Sequence, residues 1–147
     1  MSNNIFFSIK NKIVIISIIG IITTPSVFAQ QISSLDLTAP TITELYGGDK
    51  KGSFEFSVQN NNIYGTAEMN EQPTDGKVYE GWFEDKGDAS GYSLSVGKFD
   101  NDNTLTINQT MVNPYTYTVF FVTTEPVDDS DPNPSDVVVG TKLPIPF

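Results

Sequence analysis

The sequence predicts an all-β protein, an antiparallel immunoglobulin-like sandwich of about seven strands. Two observations predict this class. Apolar and polar residues alternate with a period of two in several segments, as they do in half-buried strands. Clusters of Gly, Pro, Asn and Asp separate these segments at short intervals, and such residues favour tight turns. A small open barrel is the alternative architecture for the same strands.

The alternation is clearest from residue 53 onward. Phe54, Phe56 and Val58 are separated by polar residues, and three asparagines at 60–62 predict a tight turn into a second strand. The predicted strands after the first span 63–69, 77–84, 92–99, 104–109, 115–124 and 137–143.

Aromatic residues are the natural core of such a sandwich. We expect Trp82, the only tryptophan, to pack between the two sheets, and we expect Phe83 and Phe121 in the same core. Tyr115 and Tyr117 fit two interpretations, since they could belong to the core or to an exposed binding strip.

The N-terminus has the layout of a cleavable signal peptide over residues 1–29. Lys10 and Lys12 precede an apolar run at 13–22, and the predicted cleavage follows Ala29. An uncleaved anchor is the weaker interpretation, because a membrane-spanning helix needs about 20 apolar residues and this run has ten. We therefore expect a secreted protein, extracellular or associated with the cell surface.

The rest of the chain divides into two parts. Residues 30–52 are weakly patterned and contain Pro40, so they predict a linker, or an edge strand at 41–46. Residues 53–147 predict one β-domain. Within it, the acidic and Pro-containing segment at 125–135 predicts an ordered surface loop.

The chain is strongly acidic. It has eight Lys, no Arg, and 18 Asp and Glu residues. Removal of the predicted signal peptide takes away two of the lysines, which leaves six positive and 18 negative side chains and a net charge of −12. This field repels phosphate backbones and anionic lipid heads. We therefore expect no nucleic-acid partner. We also expect no membrane span in the mature chain, because the apolar stretch at 143–147 is far too short to cross a bilayer. An envelope protein or a glycan of unknown identity is the expected partner.

Missing residue types exclude most catalytic chemistry. The chain has no His and no Cys, which excludes Ser-His triads, Cys nucleophiles and ordinary zinc sites. Glu80 and Glu84 share a predicted strand, but four residues span roughly 13 Å. A glycosidase pair needs roughly 5–10 Å. We therefore expect no enzyme, and a carboxylate-dependent enzyme is a remote alternative.

Calcium is the one cofactor for which the sequence offers candidate ligands. Asp128, Asp129, Asp131 and Asn133 place several oxygen ligands in one loop, and hard cations prefer such oxygens. The loop is not an EF-hand, because the twelfth position from Asp129 is Gly140 rather than Glu. Solvated turn carboxylates are the favoured explanation, since Asp and Asn readily occupy turns.

Two motifs in the second half of the chain resemble one family. Tyr79 and Trp82 belong to a Gly-x-x-Tyr-x-x-Trp strand, and Glu125 and Pro126 end a Val-Thr-x-Glu-Pro strand ahead of the Pro-containing loop. Together they resemble the extracytoplasmic C-terminal domain of anti-sigma-K-type factors, over roughly residues 53–143. The resemblance implies a β-sandwich outside the membrane. It does not imply sigma-factor binding, which in that family belongs to a separate cytoplasmic segment.

These features predict an exported, non-catalytic binding or structural module. The alternative is a regulatory sensor domain of an anti-sigma-like pathway, which would need a partner to supply the membrane and cytoplasmic parts.

Overall fold

The computed structural model describes residues 32–85 and 91–144. The predicted signal peptide and the cleavage point after Ala29 lie outside the described residues. Nearly all of the regular structure is β, so the expected all-β class is confirmed. The strands are β1 Ser33–Thr38, β2 Lys50–Gln59, β3 Asn62–Met69, β4 Lys77–Asp85, β5 Tyr92–Lys98, β6 Thr104–Thr110, β7 Tyr117–Pro126 and β8 Asp136–Lys142, with a 3-10 turn at Pro114–Thr116.

The eight described strands form one antiparallel sheet in the order β5-β4-β7-β8-β1-β2-β3-β6. The sheet is nearly closed, because its edge strands β5 and β6 follow one another in the chain and approach each other near the turn that joins them. Strands β8 and β1 share a single residue pair, Thr38 with Gly140. Two four-stranded halves therefore meet at a narrow seam. The expected sandwich of two separate sheets is not confirmed.

Strand β1 lies where the sequence predicted a linker. It pairs with β2 along its whole length and lies inside the sheet, between β2 and β8, with Leu37 fully buried. The prediction of an edge strand at 41–46 is wrong, because these residues form bends. The Thr41 hydroxyl accepts a hydrogen bond from the Glu44 backbone N–H at 3.1 Å, which favours a local turn over an extended strand.

The interior core is built around a stack of aromatic rings. Phe54 is fully buried, and its ring centroid lies 5.0 Å from that of Phe56 and 4.1 Å from that of Phe120. Burying a Phe side chain contributes roughly 1.5–3 kcal/mol, and each favourable aromatic pair adds roughly 0.5–1.5 kcal/mol. Because Phe54 belongs to β2 and Phe120 to β7, the stack joins the two halves of the sheet.

Trp82 does not lie between two sheet faces, as we expected from the sequence. Alternation along β4 turns Phe83 into the interior core, so Trp82 faces outward. There it stacks on Phe121 with the ring centroids 6.4 Å apart. Both side chains are only 2% exposed, and they belong to a second apolar cluster.

This outer cluster is covered by the loop over residues 39–49. Its core is Trp82, Val119 and Phe121, and the side chains packed against it are Leu45, Tyr46 and Val137. The loop approaches closely because Gly140 has no side chain: a Cβ there would lie 2.5 Å from the Leu45 carbonyl oxygen. Gly140 therefore permits the cover that buries Trp82.

Candidate functional site

A cleft lies between the edge strands β5 and β6, away from the turn that joins them. We call it the edge cleft. Its volume is about 350 Å³. Its lining combines apolar side chains with amides and hydroxyls: Leu94 from β5, Gln109 and Thr110 from β6, Met111, Val112 and Asn113 from the following segment, Thr116 from the 3-10 turn and Tyr117 at the start of β7.

The segment between β6 and β7 holds one wall of the cleft in place. The Met111 backbone N–H donates to the Asn61 carbonyl at 2.7 Å and ties the segment to the β2–β3 turn. The Asn113 side chain then caps the 3-10 turn by accepting from the Tyr115 backbone N–H at 3.0 Å. Between these two anchors Val112 projects outward, 98% exposed.

The rim of the cleft is apolar and aromatic. Tyr92 is 57% exposed and Tyr115 45% exposed, so Tyr115 belongs to the surface and not to the core. Tyr117 is half-buried and packs on Phe83, with the ring centroids 5.8 Å apart. Of the two tyrosines left open by the sequence, Tyr115 is therefore a surface residue outside the cleft lining, and Tyr117 lines the cleft and packs on the interior core.

The lining of the cleft includes a tyrosine that stays neutral. Asp85 pairs with Tyr92 on one side and with Tyr117 on the other, so three polar side chains lie near one end of the cleft. Burial raises the pKa of Tyr117, and the nearby Tyr92 and Asp85 raise it further. The Tyr117 phenol is therefore protonated at neutral pH, and Asp85 is an acidic side chain close enough to act on it.

The two edges that flank the cleft differ in regularity. No strand in residues 32–85 or 91–144 pairs with the outer edge of β5 or β6. Strand β6 is seven residues long, has no charge or proline, and pairs with β3 without a register shift. Strand β5 is irregular, because its register with β4 shifts beside Gly81 and Gly97 has a φ of 122°. Irregularity, charge and proline are the usual protections of an edge, so β6 is the less protected one.

The predicted calcium ligands lie in the loop between β7 and β8. Asp129 Oδ1 accepts from the Asp131 backbone N–H at 2.8 Å, and Asp131 Oδ1 accepts from the Asn133 backbone N–H at 3.0 Å. Asp128 lies at the exposed start of this loop. These are consecutive Asx turns. Within the part of the chain that the structure describes, no three acidic side chains form a group suited to a metal ion, and calcium binding stays a prediction.

The first pair of family-like positions is structural. Tyr79 is buried in the interior core and meets Phe99 edge-on, with the ring centroids 5.9 Å apart. Trp82 lies in the outer cluster, where its Nε1–H donates to Thr123 Oγ1 at 2.8 Å. Both residues therefore support the sheet and lie outside the lining of the edge cleft.

The second pair ends β7. Pro126 is exposed, whereas Glu125 is only 1% exposed. Glu125 Oε1 accepts from the Ser135 backbone N–H at 2.9 Å, which fastens the acidic loop at both ends. Burial raises the pKa of Glu125, but hydrogen bonding from Ser135 and Thr123 outweighs burial and lowers the pKa below its usual value. Glu125 is thus an ionised, buried anchor.

Sequence reasoning did not identify the edge cleft. It singled out Tyr115 and Tyr117 but not Leu94, Met111 or Val112, which complete the apolar surface. The available signal was the apolar pair at 111–112, placed between the end of one predicted strand and the start of the next. Of this pair, Met111 is buried in the interior core and Val112 is 98% exposed, so Val112 alone supplies exposed apolar surface.

Comparison with protein-family models, with curated proteins and with solved structures finds no match to this chain. The likeness to anti-sigma-K-type factors therefore stays a prediction. No helix among the described residues has the length and apolar character needed to cross a membrane.

Proposed function

We propose that the chain is an exported, non-catalytic binding or structural module of the cell surface or extracellular space, and that it binds its partner through the edge cleft. The observation that carries this proposal is the exposed apolar rim around a concave surface. Val112 lines the cleft and is 98% exposed, and the exposed Tyr92 lies near Tyr117 of the lining. Exposed apolar patches that border a concave surface are typical of interaction sites.

The chemistry of the lining supports binding rather than catalysis. The lining residues offer apolar contacts, amides, hydroxyls and a neutral phenol, and none of them is a carboxylate or a lysine. General acid–base catalysis needs a side chain that titrates near the working pH. Such a surface suits a partner recognised by shape and hydrogen bonding.

Export is supported by the N-terminal sequence. The charged start, the short apolar run and the residues before Ala29 match the layout of a signal peptide. N-terminal sequencing of the secreted protein should begin at Gln30. Retention of Met1 would contradict a cleaved signal peptide.

A comparative pull-down tests the role of the cleft. Residues 30–147 carrying a tag should capture a partner from cell-envelope and culture-medium extracts, and Val112→Asp should lose it. The matched control is Val127→Asp, since Val127 is also an exposed valine, 57% exposed, but does not line the cleft. Capture of no partner, or equal capture by Val112→Asp, would count against the proposal.

A further inference from the structure

We infer that the ligand of the edge cleft is an extended segment of a partner protein, which adds as a strand to the free edge of β6. The segment places an apolar side chain in the cleft and a lysine or arginine two residues away, toward Asp85. This inference rests on the proposed function, and it assigns a chemistry to the partner that the proposed function leaves open.

The backbone of β6 provides the first part of the recognition. An edge strand presents backbone N–H and C=O groups on its unpaired side, and an extended peptide pairs with them by strand addition. The pairing of β6 with β3 has no register shift, so its opposite edge is regular. The Thr104 carbonyl already accepts from the Asp100 backbone N–H, and the Thr110 carbonyl accepts from the Gln109 side chain. The stretch of the edge open to an added strand therefore lies between these two residues, at 105–109. The facing edge of β5 is broken by the irregularity near Gly97. The segment therefore pairs with β6.

The cleft provides the second part, through side chains. A cleft of about 350 Å³ between Leu94, Met111 and Tyr117 has room for an apolar side chain that points inward from the added strand. A second copy of this protein cannot supply such an apolar side chain from its own β6. There the inward residues Leu105 and Ile107 are 5% and 2% exposed, because they fill the interior core. The occupant is thus a segment whose side chains are not already buried.

Charge provides the third part. Residues 104–117 contain no charged side chain. Strand β5 has only Lys98, at the opposite end from Tyr92, where Lys98 Nζ donates to the Val127 carbonyl oxygen. Among the described residues, Asp85 places an acidic group near the open end, opposite Tyr92. Tyr92 and Leu94 are two residues apart, about 7 Å along a strand. A lysine or arginine of the added segment, two residues from its apolar side chain, therefore lies near Asp85 when the apolar side chain lies near Leu94.

Synthetic peptides test the mode of binding. The parent probe is a peptide with blocked ends in which threonines alternate with leucine, lysine and leucine. It is titrated into the protein over residues 30–147, and binding is followed by the chemical shifts of the protein's backbone amides in NMR spectra. The N–H and C=O of one residue point to the same edge of a strand, so methylating the nitrogens of alternate residues blocks one edge only. One of the two alternately N-methylated peptides should bind within about twofold of the parent, and the other should bind at least about tenfold more weakly.

Two further comparisons test the side-chain requirements. Replacing the lysine of the peptide with glutamate should weaken binding at least about fivefold, because the glutamate meets Asp85 and a strongly acidic protein. The Val112→Asp protein should bind the parent peptide at least about fivefold more weakly, whereas Val127→Asp should bind it normally. The largest amide shifts should fall on residues 105–109.

The outcomes separate this inference from the proposed function. No saturable binding of the parent peptide up to about 1 mM, or equal effects of the two N-methylated peptides, overturns strand addition. If strand addition fails while Val112→Asp still removes the captured partner, the edge cleft binds a partner in another way. If Val112→Asp has no effect on capture, the proposed function itself fails.

Discussion

Adding one methyl group at Gly140 should open the outer cluster. The new Cβ would lie 2.5 Å from the Leu45 carbonyl oxygen, whereas favourable carbon contacts begin near 3.5 Å. The backbone of loop 39–49 must therefore move by about 1 Å. Overpacking of this kind costs about 1–3 kcal/mol, and replacing Gly by Ala within a strand returns about 0.5–1 kcal/mol. The expected net loss of stability for Gly140→Ala is about 1 kcal/mol at the midpoints of these ranges and at most about 2.5 kcal/mol.

Trp82 reports the effect directly, because it is the only tryptophan and lies under this loop. In Gly140→Ala the native fluorescence emission should shift to the red as water reaches the indole. The melting temperature should fall by about 4 °C for each kcal/mol lost. Ile42→Ala is the control, since Ile42 is in the same loop but fully exposed. Unchanged emission together with an unchanged or higher melting temperature would refute the reasoning.

Three other changes test the core, the buried carboxylate and the acidic loop. Phe54→Ala should lower the free energy of unfolding by about 3–5 kcal/mol, measured by denaturant titration, because it removes the ring stacked on Phe120; a loss below about 1 kcal/mol would contradict a central role. Glu125→Gln should cost about 1 kcal/mol at pH 7. Although burial opposes it, hydrogen bonding holds the folded-state pKa of Glu125 below its ordinary value of 4.5. The stability that the ionised Glu125 contributes is therefore complete above the unfolded-state pKa and is lost as the pH falls through the folded-state pKa. The free energies of unfolding of the wild type and Glu125→Gln should therefore converge in acid. A constant difference between them across that pH range would contradict the role of Glu125 as an ionised anchor. Because oxygens of Asp129 and Asp131 already accept backbone N–H groups, we expect equal melting temperatures in calcium and in chelator. A rise in calcium that Asp129→Asn removes would instead reveal a metal site.

Local signals were sufficient to predict much of the sheet. The asparagine turn at 60–62 is confirmed, since Gln59 pairs with Asn62 and Asn60 has a φ of 54°. Asn tolerates this left-handed conformation, and alternation on either side fixes which face is buried. Turn chemistry and period-two patterning act over a few residues, so a single sequence contains the information that they need.

The features that were missed depend on residues far apart in the chain. Strand β1 has only a short alternation, and its place is decided by pairing with β2 and β8. The outward position of Trp82 depends on cover from loop 39–49. The edge cleft depends on which two strands end the sheet, and strand order is not encoded in the pattern of any one segment.

The pairing of β1 with β8, the first and last of the described strands, also affects when the sheet can finish folding. The residues that meet at the β1–β8 seam are 102 positions apart, and contacts of such long separation form slowly because they close a large loop. A chain delivered N-terminus first can pair β1 with β2 early, but the seam must wait for β8. Strand β8 therefore closes the seam between the two halves of the sheet. Until β8 has been made, the edges of β1 and β7 stay exposed and can pair with other chains.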